Sequence, residues 1–83
     1  MEVTFERTKQ QAFTLEIWYF STVRQVKELV MQKTDIPVES QRLFLRGKEL
    51  VDDDKGVQDY SVVEGSRILV VRRRPPAARR AET

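Results

Sequence analysis

The stretch Thr22-Val23-Arg24-Gln25-Val26-Lys27-Glu28-Leu29-Val30-Met31-Gln32-Lys33-Thr34-Asp35-Ile36-Pro37 carries its own start and stop signals for a helix. Thr22 offers a hydroxyl to the orphan N–H groups of a first turn. Gln25, three residues on, can reach back to the Thr22 N–H, which is the reciprocal arrangement of a capping box. Val23, Val26, Leu29 and Val30, with Lys33 beyond them, fall at three- and four-residue spacing, so the four apolar residues share one stripe facing a core. Pro37 disfavours helical geometry at Ile36, and Asp35 tolerates the left-handed cap position better than most non-glycine residues. The pattern predicts a helix that starts at Thr22 and ends near Thr34.

On the N-terminal side, Met1, Val3 and Phe5 alternate with Glu2, Thr4 and Glu6, the period-two signature of a half-buried strand. Phe13, Leu15 and Ile17 repeat the pattern after the polar connection from Arg7 to Gln11, so the two runs read as a hairpin, although its turn holds no Gly or Asn to supply a positive φ. On the C-terminal side, Leu43-Phe44-Leu45 reads as a third strand turning through Arg46-Gly47-Lys48 into a brief fourth around Glu49 to Val51. Asp52-Asp53-Asp54-Lys55-Gly56 is a polar loop whose carboxylates lack the alternating ligands and closing Glu of a calcium loop, so it reads as solvated charge and no metal is expected. Arg67-Ile68-Leu69-Val70-Val71 makes a last strand, apolar on both faces. The order is strand, strand, helix, strand, strand, strand.

At 83 residues the chain has the length of one domain, and 40% hydrophobic with 34% charged residues fits a globular core rather than a disordered chain. It contains neither Cys nor His, which removes thiol nucleophiles, disulfides, zinc sites built from those ligands and imidazole acid–base relays. No apolar run approaches the ~20 residues that cross a bilayer, and the alternating start does not resemble a secretory signal, so a cytoplasmic or nuclear setting is expected. Charge is uneven. Residues 1 to 71 hold ten Lys or Arg against twelve Asp or Glu, a balance of −2, whereas residues 72 to 83 hold five Arg and one Glu, a balance of +4. With Pro75-Pro76 blocking helix and strand alike, residues 74 to 83 read as a disordered basic tail or linker behind a domain of residues 1 to 73.

Thr14-Leu15-Glu16-Ile17, Val26-Lys27, Ile36-Pro37, Gln41-Arg42-Leu43, Gly47-Lys48-Glu49-Leu50 and Asp59-Tyr60, in this order and spacing, strongly resemble ubiquitin over about residues 1 to 73, with one extra residue in the Asp52 to Gly56 loop. The resemblance implies an α+β architecture, the ubiquitin-like β-grasp, in which a mixed five-stranded sheet wraps one helix and the first and last strands lie parallel at its centre. Ile68 and Val70 would then face the helix with Val3, Phe5, Leu15, Ile17, Val26, Val30, Leu43 and Leu50.

The resemblance also implies an outer sheet face that partners read, carrying Phe44, Leu69 and Val71 and rimmed by Arg42, Lys48 and Arg72. Thr8 stands where the family has an apolar residue at the tip of the first hairpin. Trp18-Tyr19-Phe20 departs from the polar residues or proline common there. Two readings stay open: Phe20 staples the helix start while Trp18 or Tyr19 covers the Asp52 to Val57 loop, or the three form a second contact surface. Arg73-Arg74-Pro75-Pro76 replaces the diglycine end through which ubiquitin-like modifiers are attached, and no Gly follows Gly65. The expectation is therefore a non-conjugated, non-catalytic binding module without cofactor, monomeric, docking on ubiquitin-binding proteins, proteasome receptors or ligase subunits. A second class is nucleic-acid binding through Arg72, Arg73, Arg74, Arg79 and Arg80, whose guanidinium groups can neutralise phosphates. Catalysis finds no support in a chain without His, Cys or a Gly-rich phosphate loop.

Overall fold

The computed structural model describes residues 1–73, and the basic stretch 74–83, with Arg74, Arg79 and Arg80, lies outside the described residues. Its elements run β1 (Glu2–Arg7), β2 (Phe13–Glu16), α1 (Val23–Thr34), β3 (Gln41–Leu45), β4 (Lys48–Glu49) and β5 (Arg67–Arg72), with single 3-10 turns at Val38–Ser40 and Val57–Tyr60. The helix begins and ends where its sequence signals place it. The Thr22 hydroxyl accepts from the Gln25 N–H at 3.2 Å while the Gln25 side chain accepts from the Thr22 N–H at 2.9 Å. At the other end Asp35 takes the left-handed conformation, φ 64°, and its N–H closes on the Met31 carbonyl at 2.7 Å.

The sheet order is β2-β1-β5-β3-β4. β1 runs parallel to β5, and the other three pairings are antiparallel. Each strand alternates: Val3 and Phe5, Ile68 and Val70, and Leu43 and Leu45 all point inward onto α1. Beneath the sheet Ile17, Val23, Val26, Val30 and Leu50 complete the expected core, joined by Met1, Ile36, Val57 and Val62, while Leu15 packs against it only partly buried. The helix stripe differs by one position from the expected one. Lys27 is buried and Leu29 half-buried, because the Lys27 ammonium is neutralised by Asp53 at 2.8 Å, letting its methylenes lie against the core.

Two connections show how local geometry sets strand limits. Arg46 (φ 54°) and Gly47 (φ 84°) both adopt positive φ, as a two-residue hairpin loop requires to match strand twist, and this pairs Leu45 with Lys48 at once. The fourth strand is consequently Lys48–Glu49 rather than Glu49 to Val51, and Val51 is exposed. The first hairpin has no residue of positive φ because residues 8 to 12 give it room to turn without one.

Candidate docking surface

Pairing across β3 and β5 sets Phe44 opposite Leu69 and Arg42 opposite Val71. Since Leu43, Leu45, Ile68 and Val70 point inward, these four side chains stand on the outer face, away from α1. Together with Glu6, Arg46, Gly47 and Arg67 they line a shallow depression of ≈ 540 Å³. Phe44 and Val71 are half-buried and Leu69 is 37% exposed, so the floor is apolar and open to solvent.

Arg42 shapes one wall. Its guanidinium lies 5.0 Å from the centre of the Phe44 ring and grips Glu49 with two bonds, Nε to Oε2 at 3.1 Å and Nη2 to Oε1 at 2.9 Å. The hydrogen bond from Arg42 holds the Glu49 carboxyl below the usual carboxylate range, against the desolvation that would raise it. A carboxyl depressed on folding contributes stability that is present above its unfolded pKa and lost as pH falls through the folded one. The Glu49 resonance should therefore titrate below the usual carboxylate range in a carbon-detected NMR titration, and Arg42→Gln should raise its midpoint. If it titrates within the usual range in the native protein, the fork between Arg42 and Glu49 does not persist in solution.

The residues expected around this face separate in the structure. Arg42, Phe44, Leu69 and Val71 come together. Lys48 lies outside the depression, its ammonium 5.8 Å from the centre of the Tyr60 ring. Arg72 also leaves the face, because the two-residue period of β5 puts it in step with Ile68 and Val70; it lines a separate groove with Thr8. Arg46 and Arg67 supply the basic rim instead, Arg67 paired with Glu6 at 3.1 Å. The signal for both is present in the sequence: Arg46 follows Phe44 by two positions and Arg67 precedes Leu69 by two.

Trp18, Tyr19 and Phe20 are exposed by 67%, 55% and 72%, with the Trp18 and Phe20 rings 5.9 Å apart. They do not cover the Asp52 to Val57 loop. Main-chain bonds hold that loop instead, from the Val23 N–H to the Lys55 carbonyl, from Arg24 to Asp53 and from Val57 to Ser21, and Trp18 and Phe20 line a shallow hollow with Ser21 and Gln25 at the start of α1. The loop carboxylates are engaged locally, Asp53 by Lys27, Asp54 by Arg24 at 3.6 Å, and Asp52 by the Asp54 N–H at 3.0 Å. Arg73, expected among nucleic-acid contacts, donates through its guanidinium to the Glu39 carbonyl at 3.0 Å.

Comparison with known proteins agrees with this fold. Residues 3–75 match the ubiquitin family. Ubiquitin-like protein 4A of Xenopus laevis is 37% identical over 68 residues, covering 82% of this chain and 45% of that protein. Its Homo sapiens counterpart is 32% identical over 71 residues, covering 86% and 45%. The chain thus spans less than half the length of the curated relatives it matches. Among solved structures, the ubiquitin-like domain of an Arabidopsis thaliana protein superposes with a TM-score of 0.84 at 27% identity, over 90% of this chain and 79% of that one. With the match spanning nearly the whole chain and the parallel β1–β5 pair at the centre of its sheet, this chain belongs to the ubiquitin family.

Proposed function

We propose that this chain is a non-catalytic, non-conjugated ubiquitin-like module of the ubiquitin–proteasome system, acting as a monomer in a cytoplasmic or nuclear setting. Its outer β3–β5 face docks on proteins that recognise ubiquitin-like surfaces, such as proteasome receptors or ligase subunits. The observation that carries this reading is the open apolar floor of Phe44, Leu69 and Val71 on two paired strands, rimmed by Arg42, Arg46 and Arg67. A small apolar centre with a charged rim makes a modest, transient interface, in the micromolar range. The Arg73-Arg74 sequence in place of a diglycine supports a module that acts as a folded surface rather than as an attached tag.

Phe44 also sets selectivity. It is bulkier than the aliphatic residue common at this position in the family, so partners with wide grooves are retained and those with shallow aliphatic pockets are lost. Titrating a panel of ubiquitin-binding domains and proteasome receptors into labelled protein should move amides of Arg42 to Gly47 and Arg67 to Val71. Phe44→Ala should weaken that binding at least tenfold while costing only about 1 kcal/mol of stability, since its ring is half outside the core. Shifts gathered at Trp18 to Phe20 would place the docking surface on the aromatic cluster instead. A Phe44→Ala loss of ~3 to 5 kcal/mol, the size of a core truncation, would mean the side chain faces inward.

A further inference from the structure

The groove that receives Thr8 and Arg72 lies away from the outer sheet face and has a different chemistry. It holds ≈ 260 Å³ between the first hairpin, the end of α1 and the end of β5. Arg7, Lys9 and Arg72 bring three cations to it, Thr8 and Gln10 bring a hydroxyl and an amide, the Thr34 hydroxyl at its edge is already committed to the Val30 carbonyl at 2.8 Å, and Ile36 and Val70 floor it. Among the described residues no carboxylate lines it, and none of the three cations has a carboxylate within ion-pair distance: Glu6 turns to Arg67 on the opposite face, and Asp35, adjacent in sequence to Thr34 and Ile36, does not line the groove. The carbonyl end of α1 offsets only about half a unit charge of the three. Like charges gathered without a counter-charge repel one another, and the side chain of Arg7 is moreover held in place, its guanidinium 5.4 Å from the centre of the Phe13 ring. Its Nε–H is shut off from solvent and has no acceptor among the described residues.

We propose that this groove binds an anion, the phosphate monoester of a phosphorylated segment in a partner protein. A dianionic phosphoryl group supplies the missing counter-charge, and its oxygens accept from guanidinium, ammonium and hydroxyl donors together. The volume suits one phosphoryl group with an adjoining residue. Three cations converging on a single hollow differ from the stripe that tracks the repeated phosphodiesters of a nucleic acid. The apolar floor is buried, Ile36 at 8% and Val70 at 3% exposure, so this region presents nothing to insert into a lipid surface. The site is independent of the outer-face docking proposed above and stands or falls separately from it.

The test is an amide-shift titration with a phosphoserine-containing alanine hexapeptide, run beside its unphosphorylated form, a twelve-nucleotide single-stranded RNA and vesicles containing a phosphatidylinositol phosphate. The phosphopeptide should shift Arg7 to Gln10, Thr34 and Arg72. Lys9→Gln with Arg72→Gln, both at exposed positions, should weaken it at least tenfold without lowering the melting temperature, and Phe44→Ala should leave it unchanged. Arg7→Gln should weaken it too, but Arg7 stacks on Phe13 and its loss can disturb the fold, so the double variant at Lys9 and Arg72 is the deciding one. Equal shifts from the unphosphorylated peptide, no shifts at all, or retention of binding in the double variant would overturn the proposal. Binding of RNA or vesicles tenfold tighter than the phosphopeptide would also overturn it, assigning the groove to another class of phosphate.

Discussion

Val26→Asp should leave the domain unfolded at room temperature. Val26 is fully buried on the α1 stripe, among the side chains that β1, β3 and β5 turn inward. A carboxylate there loses its water and meets no cation. The cost, several kcal/mol whether the group stays charged or takes up a proton, is set against a total of ~5 to 15 kcal/mol for a domain of this kind. A circular-dichroism melt of the variant should show no cooperative transition above 25 °C. A transition within a few degrees of the parent would show that Val26 faces solvent and that α1 is rotated about its axis.

Gln41→Ala should be the most damaging polar truncation in the domain. The Gln41 amide, 3% exposed at the head of β3, donates to the Lys27 carbonyl at 2.7 Å and to the Ile36 carbonyl at 3.0 Å. It therefore ties the first residue of a strand to α1 and to the chain just beyond it. Removing it strands the buried Ile36 carbonyl at ~1 to 3 kcal/mol, takes a second donor from the Lys27 carbonyl, which α1 still pairs within the helix, and leaves a small cavity, so a loss of about 2 to 3 kcal/mol is expected in urea unfolding. Gln41→Glu should not rescue, because a carboxylate has no donor to offer either carbonyl. A loss under about 1 kcal/mol would mean that water replaces the amide at both carbonyls.

These two residues show where the sequence is legible and where it is not. Val26 can be read from spacing alone, and so can Thr22, Gln25 and Asp35, because caps and stripes depend on neighbours within four positions. Gln41 cannot. Its partners lie 14 and 5 positions away, on elements whose distance from β3 no local pattern fixes. The outer face falls between. Family resemblance finds Phe44, Leu69 and Val71 but also implies Lys48 and Arg72 on their rim, whereas period-two counting from Leu69 puts Arg67 there and turns Arg72 to the other face. Of the two readings of the aromatic triplet, the loop-covering one fails for a physical reason. Large rings are usually buried, yet burial needs an unfilled surface nearby, and main-chain hydrogen bonds already close the loop that Trp18 or Tyr19 is expected to cover.

The place of β5 bears on how the domain comes to be folded during synthesis. Its pairing partner Phe5 stands 63 positions before Ile68. The hairpin of β1 and β2 and the pair of β3 and β4 share no ladder until β5 slides between them. A nascent chain that has reached Ser66 therefore has neither ladder to β5 and leaves its apolar strand faces unsealed, and closing so long a loop is slow compared with forming local contacts. For that interval Val3, Phe5, Leu43 and Leu45 are available to chaperones or to other unfinished chains. Folding is gated by the final six-residue strand, so a stop or frameshift within Arg67–Arg72 removes the middle of the sheet rather than an edge.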